Sequence, residues 1–188
     1  MTELQERGSP ADIDHDDEWM LVQAAIVDPA AFEPVYRRYV DPIYRFCYRR
    51  LGVREEAEDA TSVTFAKAMR SLTSFRGGSF RAWLFAIADR TTLDRLRRSR
   101  REEPLETALL VLDTGETPEE FAINEEARRQ LRAALADLTA DQRRVVELRL
   151  SGLDGTEIAQ GMGRNRNAID ALQHRALERM RRLMAKES

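Results

Sequence analysis

The chain is poor in the residues that most often do chemistry. Its 188 residues include one cysteine, Cys47, which excludes an internal disulfide and a cysteine-built metal cluster. Its two histidines, His15 and His174, lie far apart and form no ligand spacing. No catalytic residue, metal site or cofactor is expected. No apolar run approaches the ~18 residues of a membrane span, and no signal-peptide pattern opens the chain. The expectation is a cytoplasmic protein without membrane insertion. Lysine is almost missing as well. Only Lys67 and Lys186 occur among 30 basic residues, so nearly all positive charge sits on arginine, the side chain suited to bidentate phosphate and guanine contacts. A biased genome composition would produce the same preference.

What is present is a charge pattern. The net charge is only −3, yet residues 1–33 carry −8, residues 34–101 carry +9, residues 102–127 carry −9 and residues 128–188 carry +5. Two basic units are separated by an acidic connector and preceded by an acidic tail. Basic units suit a polyanion, and acidic flanks suit linkers and tails; a plain solvated surface is the competing reading.

Strand-like alternation is missing throughout, and the apolar spacing is helical from Glu18 onward. "DDEWMLVQAAIV" reads as a short helix ended by Asp28-Pro29. "AAFEPVYRRYVDPIYRFCYRRLG" is a second, rich in aromatics, which Pro42 should break or kink and Gly52 should close. "REEAEDATSVTFAKAMRSL" is a third, "SFRGGSF" a glycine loop, and "SFRAWLFAIADRTTLDRLRRSRR" a fourth whose end is densely basic. The acidic connector follows. Thr117-Pro118 with Glu119 and Glu120 marks a helix start inside it.

The second basic unit carries its own punctuation. Thr139 with Gln142 and Asp154 with Glu157 both have capping-box spacing. Gly152 stops the first of these helices, Gly163 makes a tight turn, and Asn165 is the expected cap of the last helix. At ~100° per residue, Ile169, Leu172, Ala176, Met180 and Leu183 fall on one face, while Asn167, Ala171, His174 and Glu178 point the other way. Helix, glycine turn and helix outline a helix-turn-helix, whose second helix enters the DNA major groove. An ordinary amphipathic pair gives the same outline.

The segments "AFEPVYRRYVDPIYRFCYRRLG", "AEDATSVTFAKAM", "SFRGGSFRAWLFAIADRTTLDRLRR" and "LTADQRRVVELRLSGLDGTEIAQGMG" occur in that order. Together they resemble an ECF (extracytoplasmic-function) sigma factor, the two-domain type of the sigma-70 superfamily, over about Glu18 to Met184. The resemblance implies an all-α protein: an acidic tail at 1–17, a sigma-2 domain at 18–100, a flexible acidic linker at 101–124 and a sigma-4 domain at 125–188. It implies core RNA polymerase and promoter DNA as partners, an anti-sigma factor as a regulator, and no catalysis by the chain itself.

Residue by residue, the resemblance assigns Glu58, Asp59, Ser62 and Phe65 to docking on the polymerase. It assigns Phe75, Arg76, Ser79, Trp83, Arg90, Asp94, Arg97 and Arg98 to the −10 element, where strand opening needs aromatic and arginine surfaces for unstacked bases. A core position is the competing reading of Trp83. It assigns Arg166, Asn167, Asp170, Ala171, His174 and Arg175 to the −35 element. The chain departs from the family's pattern at Val63, where an acid is usual, at Arg90, where an asparagine is usual, and at Asp170, where a base is usual. Asp170 is four residues from both Arg166 and His174, within reach of either cation. It therefore reads as a holder of those cations, as an acceptor for a cytosine amine, or as a surface bystander. Two other functions fit parts of the sequence. One is a stand-alone helix-turn-helix regulator. The other is a degenerate sigma acting as an interaction protein.

Overall fold

The computed structural model describes residues 15–102, 135 and 137–184. The acidic tail to residue 14, most of the connector and the Thr117-Pro118 helix start lie outside the described residues.

Among the described residues the fold is carried by seven α-helices of known bounds, and no strand occurs. They are α1 (His15–Val27), α2 (Glu33–Leu51), α3 (Arg54–Ser71), α4 (Phe80–Glu102), α5 (Ala140–Leu150), α6 (Gly155–Met162) and α7 (Arg166–Met184). Short 3-10 turns at Pro29–Phe32 and Leu72–Ser74 join α1 to α2 and follow α3. The first turn is capped by Asp28, whose carboxylate accepts from the Ala30 amide.

Pro42 does not break α2, which runs unbroken from Glu33 to Leu51. A mid-helix proline costs about 3 kcal/mol. Here Tyr39, Ile43, Phe46, Cys47 and Leu51 are buried on both sides of it, and their packing against α3 and α4 holds the segment helical. Gly52 ends α2 in the left-handed conformation, φ 72°, with its amide returned to the Tyr48 carbonyl.

In the second unit both capping boxes form, at Thr139/Gln142 and Asp154/Glu157. Gly163 turns the chain at φ 64°, and Asn165 accepts the Ala168 amide at 2.8 Å. Ile169, Leu172 and Ala176 are buried, as the helical spacing predicts.

The two units share one core. Phe46, Phe80, Leu84 and Phe85 from the first unit belong to the same buried apolar cluster as Val145, Leu153, Ile158 and Ile169 from the second. Helix α6 lies across α4 at Gly161, where a Cβ would meet the Ala82 carbonyl at 3.2 Å and the Ala86 side chain at 3.8 Å. A side chain at Gly161 would crowd the Ala82 carbonyl, so the glycine eases the close approach.

Candidate nucleic-acid interface

Helix α3 offers an exposed acidic strip. Glu58, Asp59 and Ser62 are solvent-facing. Glu58 pairs with Arg54 one turn back at 2.9 Å. Asp59 receives Arg95 from α4 at 3.0 Å, and Arg95 also reaches Glu56 at 2.5 Å. Ser62 donates to its own helix, at the Glu58 carbonyl. Phe65 is different: it is buried, edge-on to Phe32 and Tyr36, and supports the strip from beneath.

The residues assigned to the −10 element fall into two groups. Arg90, Asp94, Arg97 and Arg98 lie exposed along the second half of α4. The others surround the Gly77-Gly78 loop, where φ is 98° and 86°. Phe75 is buried, Trp83 is half-buried, and the two pack with Phe80 at centroid distances of 5.3 to 5.6 Å. Trp83 therefore sits at the edge of the core with part of its ring in solvent.

The second unit contacts the end of this loop. Ser79 is buried: its hydroxyl donates to Glu157 at 2.7 Å and its amide donates to Gln160 at 3.3 Å. Arg81 donates to the Ser151 carbonyl at 2.6 Å. A Cβ on Gly78 would strike Gln160 at 2.8 Å. A cleft of about 660 Å³ remains beside the contact, lined by Trp19, Arg76, Gly78, Asp154 and Glu157 among others.

Beneath this contact lies a buried charge network absent from the sequence-based assignments. Asp89 of α4 is 1 % exposed and lies between Arg50 of α2 and Arg144 of α5, paired with both. Arg50 also approaches Glu147 of α5, itself 2 % exposed, at 3.2 Å. Burial pushes the Glu147 carboxyl above the usual glutamate range, with Arg50 opposing that rise. The one advance signal was Asp89 itself, a single acid in the apolar run "AWLFAIADR". An unpaired carboxylate there would be costly.

The residues assigned to the −35 element lie along α7. Arg166, Asn167, Asp170, His174 and Arg175 are exposed and Ala171 is half-buried. Asp170 pairs with Arg166. His174 faces Glu178 at 3.5 Å, so of its two neighbours four residues away Asp170 engages Arg166. Arg164 in the turn is tied to Asp141 at 2.5 Å. Among the described residues no helix is long and apolar enough to cross a membrane, and no cluster of His, Cys, Asp or Glu is arranged to hold a metal ion.

A helical bundle ending in an arginine-rich helix, packed against a helix-turn-helix, defines a two-part DNA-reading protein. Comparison with known proteins agrees. The family profile for Sigma-70 region 2 matches residues 35–102, and that for Sigma-70 region 4 matches residues 128–180. The chain is 37% identical over 160 residues to the ECF RNA polymerase sigma factor BldN of Streptomyces coelicolor, covering 82% of this chain and 60% of that protein. It is 31% identical to the RNA polymerase sigma factor YlaC of Bacillus subtilis, covering 83% of this chain and 93% of that one. It spans 63% of SigE of Mycolicibacterium smegmatis, at 30% identity. The chain thus covers under two thirds of the length of BldN and SigE. Its fold matches CnrH, solved in complex with the cytosolic domain of CnrY, at a TM-score of 0.68 and 22% identity over 93% of this chain and all of that one. The chain belongs to the ECF sigma factors of the sigma-70 family.

Proposed function

We propose that the protein binds core RNA polymerase in the cytoplasm and directs it to promoters, with no chemistry of its own. The observation that carries this is the pair of region 2 and region 4 units in one chain, with exposed arginines at the end of α4 and on the outer face of α7. In this reading the α3 strip of Glu58, Asp59 and Ser62, backed by Phe65, docks on the polymerase. Arg90, Asp94, Arg97 and Arg98 hold the −10 region, with Phe75, Arg76, Ser79 and Trp83 around the glycine loop receiving unstacked bases. Residues Arg166 to Arg175 meet the −35 element in the major groove. The sigma-2, linker and sigma-4 spans are those read from the sequence, 18–100, 101–124 and 125–188.

The closed arrangement has a consequence. Ser79 and Arg81 are engaged by α6 and by the turn after α5, so these two side chains become available only when the units part. Docking on the polymerase supplies the energy for that separation. An anti-sigma factor is the proposed regulator. RpoE of Bartonella quintana, solved with the anti-sigma factor NepR, shares the fold at 21% identity. Purified protein added to bacterial core enzyme is expected to yield promoter-specific run-off transcripts. A chain that binds no core enzyme, that of its own organism included, overturns the proposal.

A further inference from the structure

Asp170 stands where an acid is least favoured, one turn into a helix that is to approach phosphates. Its carboxylate is engaged by the guanidinium of Arg166, whose Nε lies 2.9 Å from one carboxylate oxygen and 3.0 Å from the other. The same guanidinium is held from a second helix: Nη1 donates to Thr156 Oγ1 at the start of α6, at 3.3 Å. It is also shaped from below. The group lies over Gly155, where an added Cβ would come within 2.4 Å of Cζ. A side chain that otherwise loses much rotamer freedom when bound is thus ordered beforehand, by contacts from α6 and α7.

We infer that Asp170 is a positioning residue that presents Arg166 to one guanine of the −35 element, an inference resting on the function proposed above. Charge separates this from a phosphate grip. Phosphate attraction scales with net positive charge, and a carboxylate within 3 Å largely cancels that of Arg166. A guanine contact depends instead on aiming two donors at the neutral acceptors O6 and N7. With Nε committed to Asp170 and one Nη1 hydrogen to Thr156, Nη2 and the second Nη1 hydrogen remain for that contact. Arg166 opens α7, at the end of a recognition helix that meets base edges. Arg175, exposed and nine residues further along, keeps its full charge for the backbone. Both members of the Arg166–Asp170 pair are about half exposed, so the pair adds little to folding stability; what it changes is direction.

The test uses holoenzyme, formed from core polymerase and the full chain, to select from promoters randomised across the −35 element. The wild type is expected to select guanine at one position. Arg166→Ala abolishes that preference, and Asp170→Ala lowers it roughly tenfold at the same position. The double variant matches Arg166→Ala. Gly155→Ala, which displaces the guanidinium while leaving Asp170 in place, lowers the same preference, and it serves if Asp170→Ala fails to fold. Mixed-sequence duplex binds Asp170→Ala no more weakly than wild type. A uniform loss across all sequences in Arg166→Ala shows a phosphate grip and overturns the inference. So does a preference unchanged in both Asp170→Ala and Gly155→Ala. A wild-type holoenzyme that initiates but selects no −35 base overturns the inference and leaves the proposed function standing. A chain that binds no core overturns both.

Discussion

Asp89 and Cys47 are both fully buried in the same helical bundle, and their chemistry there differs. Asp89 is paired with Arg50 and Arg144. Removing one member of a buried ion pair costs about 3–5 kcal/mol, because the partners keep their desolvation penalty. Asp89→Ala is therefore expected to lower the urea midpoint by an amount corresponding to that loss. A shift under about 1 kcal/mol would show that water or rearrangement satisfies the two arginines. Cys47 is surrounded by Phe46 and its neighbours on α2, and burial pushes its thiol up to about 11. It is a small core residue and not an exposed redox sensor. The protonated thiol favours the folded state. That contribution is complete below the ordinary value of 9.0 and is lost as pH rises through about 11. Native protein at pH 8 should resist iodoacetamide and react once denatured; rapid labelling of the native chain would contradict the burial.

Among the helices, local grammar and packing carry different weight. The α6 capping box rests on Asp154, whose carboxyl is held below the usual carboxylate range first by the Glu157 amide and then by that of Thr156. Its stabilisation is present above the ordinary 3.8 and is lost as pH falls through the lower folded value. Asp154→Ala should cost ~1 kcal/mol by thermal melting at neutral pH, and little in strong acid. Helix α2 shows the opposite balance, since the packing of its buried face outweighs Pro42. Arg95 is tied back to Glu56 and Asp59, whereas Arg97 and Arg98 are exposed. Replacing both with alanine should reduce the salt slope of promoter binding by about 0.7–0.9 per charge removed. An unchanged slope would remove them from the interface.

The whole molecule is held closed by a contact in which polar and charged groups are deeply buried. Arg144 and Glu147 on α5 meet Asp89 and Arg50 below, while Glu157 and Gln160 on α6 hold Ser79 above. The double variant Arg144→Ala/Glu147→Ala removes the α5 half of the buried network. It should expand the free protein in small-angle scattering and speed its association with core polymerase, because less closed form must first open. Unchanged scattering together with unchanged association would show that the apolar core alone keeps the units together.

The helices and their ends were legible in the amino-acid order. Capping boxes, glycine stops and apolar spacing act over a few residues, and each appears where its pattern placed it: Thr139, Asp154, Gly163, Asn165 and the buried stripe of Ile169, Leu172 and Ala176. The exposed face of α7 followed from the same periodicity. The pairing of Arg166 with Asp170 was one of several outcomes that i,i+4 spacing allowed. Only the tertiary structure chose it, and only the tertiary structure added Thr156 and Gly155 around the guanidinium. It alone joined Arg50, Asp89, Arg144 and Glu147, and it alone placed Ser79 beneath Glu157. These contacts bridge residues some 40 to 100 positions apart, and no local rule links them. Helix formation is settled within a turn or two of chain, whereas the meeting of two units depends on how their whole faces fit.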